Sequence, residues 1–204
     1  MKRRMSRSTH NITVTAMLSA VAFILMFLEF PAPLMPSFVK LDISDLPALL
    51  GTFALGPASG IVIEGIKNLL FILFHGTSSA GVGELCNFLL GCCFVVPSGL
   101  IYRRRKTRKR AVVGSLVGCA VMAACSLPIN LFLVYPAYVR FYGLPLESII
   151  EMYQAILPGV NSLLACLTIF NLPFTFIKGL LDALLCFLIY KPLSPILHHG
   201  RGDS

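Results

Sequence analysis

A chain of 204 residues that is 56% hydrophobic and 13% charged, with a mean hydropathy of +0.82, lacks the polar surface of a water-soluble domain, which carries about 25% charged residues. Its net charge of +8 is concentrated: Lys2, Arg3, Arg4 and Arg7 crowd the start, and Arg103, Arg104, Arg105, Lys106, Arg108, Lys109 and Arg110 form one block, together eleven of the seventeen basic residues. Long apolar runs flank that block on both sides, so it reads as a cytoplasmic loop of a membrane protein rather than as a nucleic-acid surface.

A spanning helix needs about 20 apolar residues, and the chain offers six candidates in order. The first covers about 11–28. It follows a basic start as a signal peptide would, but no small-x-small cleavage site closes it before Glu29, so it reads as a retained helix. The stretch after it contains Pro31, Pro33 and Pro36. It cannot stay helical, because each proline removes a donor and restrains its predecessor. Helix 2 starts near Ser44, with Ser44 or Asp45 as N-cap, and ends at the Gly56–Pro57 turn; it is short for a full span. Helix 3 covers 57–74 with Pro57 in its first turn, and 75–83 is a loop. Helix 4 covers 84–102, helix 5 covers 111–135, and a more polar stretch holds an amphipathic piece, 146–157, suited to the membrane interface. Helix 6 covers 161–190, interrupted near Pro173. An even helix count with a cytoplasmic N-terminus puts the 103–110 block, the Gly56–Pro57 turn and the C-terminus on the cytoplasmic side. The outer loops then hold few basic residues, chiefly Lys40 and Arg140, as the charge rule requires. The expected architecture is an all-α integral membrane protein of the cell membrane: one domain over 1–204, a bundle of six transmembrane helices, both termini cytoplasmic.

Enzyme signatures are missing from the sequence. There is no GxxxxGK[ST] and so no P-loop, no HExxH, and Gly76 to Ala80 lacks the closing glycine of GxSxG. The seven cysteines include no CxxC pair and all sit in apolar stretches, as packing residues do. No metal, cofactor or catalytic residue is expected. Polar residues within the spans are more informative, since each is costly in hydrocarbon. Glu64, Lys67 and Asn68 fall on helix 3, Glu84 and Asn87 on helix 4, Asn130 beside Pro128 on helix 5. Asn171, Thr175, Lys178 and Asp182 form one stripe on helix 6. One reading is an internal network in which Lys178 pairs with Asp182 one turn on. The other is a site that reads the carbonyl and N–H edge of a neutral heteroaromatic ligand. On helix 1, Ala16 and Ala20 make a small-xxx-small face that admits a close helix neighbour, whether a partner or another part of the chain; Gly56 with Gly60 and Gly114 with Gly118 match the same pattern.

Several stretches carry a likeness to a known family: 27–31, 40–49, 53–57, 64–70, 83–88, Asn130 with Tyr135 and Pro136, and 173–179. Over nearly its whole length the chain resembles the riboflavin-specific substrate-binding (S) subunits of energy-coupling factor (ECF) transporters. The resemblance implies a six-helix bundle with an outward pocket for riboflavin, covered by the loop after helix 1. It implies Leu41, Asp42, Glu84, Asn87, Asn130, Asn171, Thr175 and Lys178 as pocket residues, and Ala16 and Ala20 as the contact with a partner. The partners implied are a coupling membrane subunit and two ATPase subunits, which alone use ATP; riboflavin is the transported ligand, not a cofactor. In one place the chain departs from the family, which tends to carry asparagine three residues before the helix 6 lysine. Here that position is Thr175, and Asn171 one turn earlier can supply an amide. Alternative readings are an S subunit for another vitamin or a nucleobase-like compound, and a small integral membrane enzyme acting on lipid, which would need a convergent Asp/His/Ser set.

Overall fold

The computed structural model of the protein describes residues 7–36, 39–77, 80–143 and 145–198. Helix α1, Arg7–Phe27, turns Val14, Leu18, Ala22 and Met26 inward at four-residue spacing, while Ile12, Met17, Val21 and Ile24 point out. Large apolar groups on the outer face are what a helix solvated by lipid presents. A two-stranded antiparallel ribbon follows, β1 (Phe30–Pro31) with β2 (Lys40–Leu41), pairing Phe30 with Leu41 and Pro31 with Lys40. The Ala32 N–H donates to Val39 O at 2.9 Å and Glu29 forms an ion pair with Lys40. The prolines exclude helix here, as expected, and the ribbon satisfies the backbone in its place.

Helix α2, Asp45–Leu55, is buried along almost its whole length, from Asp45 to Ala54. A helix apolar on all sides belongs in a core. The long helices α3 (Pro57–His75), α4 (Val82–Arg104) and α5 (Arg108–Ile129) come next. Thr107 caps α5 by accepting from the Arg110 N–H at 3.3 Å. Beyond Pro128, α5 runs through a π-helical turn, Asn130–Val134, into α6, Tyr135–Tyr142. Helix α7 covers Leu146–Gln154. A last long helix is built from α8 (Leu163–Cys166), a second π turn (Leu167–Asn171) and α9 (Leu172–His198).

Among the described residues, five helical stretches are long and apolar enough to cross a membrane: Ser8–Phe27, Pro57–His75, Val82–Arg104, Arg108–Phe141 and Leu163–Tyr190. The chain is thus a multi-pass integral membrane protein. The sixth expected element exists as α2, but its 11 residues extend only about 16 Å, short of a hydrocarbon core of about 30 Å. The interruption expected near Pro173 is not a break; the helix carries a π turn just before the proline and continues. The amphipathic 146–157 piece holds helix α7, which packs one face on protein. Ile149 and Tyr153 of α7 are buried in a small core with Tyr135, Val160, Cys166 and Leu167.

Helices α4 and α5 approach most closely where Gly114 and Gly118 face Ser98. A Cβ on Gly114 would lie 2.7 Å from the Ser98 carbonyl oxygen, and one on Gly118 would collide with the Ser98 hydroxyl. Ser98 Oγ donates to Phe94 O at 2.7 Å and lies 3.2 Å from Gly114 O. This small-xxx-small face is therefore an internal helix contact. Ala16 and Ala20 lie on the exposed side of α1.

Candidate functional site

One end of the bundle holds a cavity of about 190 Å³ walled by the first turns of α4, the end of α5 with its π turn, α6, the second π turn, the start of α9, and the segment from Val39 to Asp45. Six of the expected residues line it: Asp42, Asn87, Asn130, Asn171, Thr175 and Lys178. Both π turns present an asparagine here, Asn130 at the start of one and Asn171 at the end of the other. A π turn shifts the side chains that follow it around the helix and recurs at functional sites. Pro128 and Pro173 flank the two turns and cannot donate to the regular ladder.

The two amides are oriented oppositely. Asn130 Nδ2 donates to Ser126 O at 2.8 Å, which leaves Oδ1 as the end it offers the cavity. Asn171 Oδ1 accepts from Tyr153 Oη at 2.8 Å, which leaves its NH2. Tyr153 in turn shares a 2.8 Å hydrogen bond with Tyr135 Oη. Burial pushes the Tyr153 phenol up to about 12, so it stays a neutral donor at physiological pH. Asn87 Oδ1 is buried with no hydrogen-bond partner among the described residues. With Thr175 and Lys178 one turn along α9, the cavity combines an acceptor at Asn130 with donors at Asn171, Thr175 and Lys178. Tyr135, Tyr138, Met122, Leu90 and Phe174 give it apolar walls.

Lys178 does not pair with Asp182. Its Nζ lies 2.6 Å from Asp45 Oδ2 and 3.5 Å from Asp42 Oδ2, reaching across to the start of α2 instead of along its own helix. Asp182 is fully buried and neither carboxylate oxygen is hydrogen-bonded among the described residues. The other Asp45 oxygen forms an ion pair with Lys67, which also lies 2.7 Å from Glu64 Oε2 and donates to Ser44 Oγ at 2.9 Å. Asp42 Oδ1 accepts from the Ser44 N–H at 2.8 Å and from Ser44 Oγ at 2.5 Å. Ser44 occupies the N-cap position of α2 but makes no side-chain cap, because its hydroxyl is engaged by Asp42 and Lys67. The ion network thus links Lys178 on α9 and Asp42 on the ribbon side to α2 and α3.

Two expected residues do not line the cavity. Leu41 pairs with Phe30 in the ribbon. Glu84, in the first turn of α4 where a carboxylate suits the helix N-terminus, accepts from Thr77 Oγ1 at 3.1 Å and so ties down the α3–α4 loop. Sequence reasoning missed Asp45 as a site residue, having read it as a cap, and missed the tyrosines. Asp45 falls within the 40–49 stretch and Tyr135 beside Pro136, both part of the family likeness, but no local spacing joins either to Lys178 or Asn171.

Residues 10–190 match the family model described as ECF transporter, substrate-specific component. The chain is 34% identical over 193 residues to the riboflavin transporter FmnP of Bacillus subtilis (strain 168), covering 94% of this chain and 95% of that one. It is 33% identical over 196 residues to the riboflavin transporter RibU of Staphylococcus aureus (strain TCH60), covering 96% of each. A solved structure described as the S component of a bacterial ECF transporter superposes with a TM-score of 0.72 at 32% identity, over 94% of this chain and 99% of that one. With the matched model spanning every residue that lines the cavity, the chain belongs to the family of ECF transporter substrate-specific components.

Proposed function

We propose that this protein binds riboflavin at the outer side of the cell membrane and delivers it inward as the substrate-specific subunit of an ATP-driven ECF importer. The observation that carries the reading is the polar set in the cavity. Riboflavin's ring edge presents a carbonyl, an N–H and a carbonyl. Asn130 Oδ1 accepts from the N–H, while the Asn171 NH2, Thr175 Oγ1 and Lys178 Nζ donate to the carbonyls. Asn87 and Asp42 face the ribityl hydroxyls. Leu41 and Glu84 contribute from behind, by holding the ribbon and the α3–α4 loop. The ribbon and its loop form the cover; Ser37 and Phe38 lie outside the described residues. The names of the curated relatives support riboflavin as the ligand.

The chain is one domain, with α2 as the sixth and shortest helix of the bundle and both termini cytoplasmic. It carries out no chemistry and holds no cofactor; ATP is used by partner subunits. Those partners are a coupling membrane subunit and two ATPase subunits. Ala16 and Ala20 form the coupling face, beside a groove between α1 and α3 lined by Thr15, Ala16, Ala58 and Val62. Exposure of both alanines favours contact with another chain over internal packing. The test is direct: the protein purified in detergent should be yellow, and should quench riboflavin fluorescence on titration. Lys178→Ala and Asn130→Ala should each weaken binding about 5- to 150-fold, the loss expected for one buried polar partner. Parent-like affinity in both variants would sink the site.

A further inference from the structure

At the end of the bundle opposite the cavity just described lies a second one, of about 380 Å³. The ring-binding cavity draws on Cys86 and Asn87 of α4, and the second on Gly99 and Tyr102 of the same helix, about 20–25 Å further along it at 1.5 Å per residue. Arg103 and Lys106 line this second cavity, and none of its lining residues is acidic. Neither cation forms an ion pair among the described residues. The floor is the Gly56–Pro57 turn and the start of α3, a 19-residue helix with no acidic residue in its first turn and no side-chain cap. Pro57 carries no N–H and the Ser59 N–H donates to Gly56 O at 3.1 Å, so this terminus offers an anion the Ala58 N–H and the positive end of the helix dipole. Thr52, which also lines the cavity, is 1% exposed; its hydroxyl has no hydrogen-bond partner among the described residues and abuts Gly60 in the first turn of α3. The ring of Tyr102 packs edge-on against Phe53, centroids 4.9 Å apart, giving one apolar wall. Solvated loop cations explain a positive end; they do not explain two unpaired cations, an uncapped helix start and an unpartnered hydroxyl around one cavity.

We infer that this cavity binds a phosphate anion, presented by the headgroup of an anionic phospholipid in the adjoining leaflet. Arg103 supplies the planar fork that matches phosphate oxygens, and Lys106 a point charge. The apolar wall of Phe53 and Tyr102 accommodates the carbon adjoining the headgroup. The same phosphate chemistry is offered by soluble phosphate, and the experiment separates the two.

Full-length protein in detergent is titrated with phosphatidylglycerol and, separately, phosphatidylcholine, and bound lipid is counted by native mass spectrometry. The expected result is preferential retention of phosphatidylglycerol. Affinity should fall about thirtyfold in Arg103→Gln/Lys106→Gln, the effect of losing charge-assisted bonds to the phosphate. Arg108→Gln/Lys109→Gln, an equal charge loss outside the cavity, should change it less than about threefold. Ala58→Phe, which narrows the cavity and keeps every charge, should also weaken retention of the lipid. Circular dichroism and a monodisperse elution profile establish that each variant is folded. Displacement of the lipid by millimolar inorganic phosphate assigns the site to soluble phosphate; resistance assigns it to the headgroup. Equal retention of the two lipids, equal loss in the two charge variants, or full retention in the Ala58 variant overturns the proposal.

Discussion

Removing the Asp45 carboxylate should disable the ring site from behind. Asp45 bonds both lysines of the buried network, with Oδ1 toward Lys67 and Oδ2 2.6 Å from Lys178. Breaking a buried pair by removing one partner costs about 3–5 kcal/mol. Each lysine keeps a second carboxylate, Glu64 at 2.7 Å for Lys67 and Asp42 at 3.5 Å for Lys178, so Asp45→Asn should fall at the low end, about 3 kcal/mol of stability. Lys178 would then be drawn toward Asp42, away from its place over the cavity. A misplaced charge-assisted bond of about 1.5–3 kcal/mol corresponds to roughly a 10- to 150-fold rise in the riboflavin Kd. The assay is quenching of flavin fluorescence by detergent-purified protein, run as a cycle with Lys178→Met. If Asp45 acts on the ligand through Lys178, Asp45→Asn should change the Kd less than about twofold once Lys178 is already Met. Effects that add within about 0.5 kcal/mol would refute the positioning argument.

Three further outcomes are expected. Ala16→Trp should leave the isolated subunit folded and binding riboflavin while abolishing ATP-dependent uptake and co-purification with the ATPase module, because a bulky residue on the exposed face of α1 holds off a neighbouring helix; joint loss or joint retention of binding and uptake would rule out a coupling face there. Cys86 lines the ring cavity, so saturating riboflavin should slow its modification by methyl methanethiosulfonate, read by peptide mass mapping, whereas the rate at Cys93 should not change. Tyr153→Phe removes the donor that orients the Asn171 amide and should weaken riboflavin about 2- to 10-fold, as for one net hydrogen bond; an unchanged Kd would show that the amide needs no such anchor.

Helix positions were legible because lipid as solvent demands long apolar runs, and because proline and glycine mark their ends. Pro57 starts α3 as the sequence puts it, whereas the basic block, expected as a loop, is mostly helical: Arg103 and Arg104 close α4, Arg108, Lys109 and Arg110 open α5, and only Arg105 and Lys106 of the block lie between them. The ribbon was not legible, since two-residue strands carry no periodicity; the π turns were not either, since the register shift they make falls in runs too uniformly apolar to show it. Among site residues, the stripe Asn171, Thr175 and Lys178 could be read from its spacing alone. The partner of Lys178 could not. Asp182 sits one turn away on the same helix, and spacing favours it. The actual partner, Asp45, is 133 residues distant in sequence, and only the docking of α2 against α9 brings it near.

That choice of partner bears on why so many charges are buried here at all. An apolar set of similar volume is often as stable as a buried ion pair, or more so, because desolvation consumes most of the Coulombic gain. Stability therefore does not account for Asp42, Asp45, Glu64, Lys67 and Lys178 sharing one interior. Position does. A lysine that paired with Asp182 would fold back along α9, away from Asn130 and Asn171. Held instead by Asp45, itself held by Lys67, the ammonium stands at the cavity wall with 12% of its side chain exposed, while the groups behind it are sealed at 0–2%. Because α2 supplies that anchor, this short helix sets the position of a cavity-lining lysine although it is too short to span. The charges that cost the fold most lie directly behind the lysine proposed to donate to the ligand.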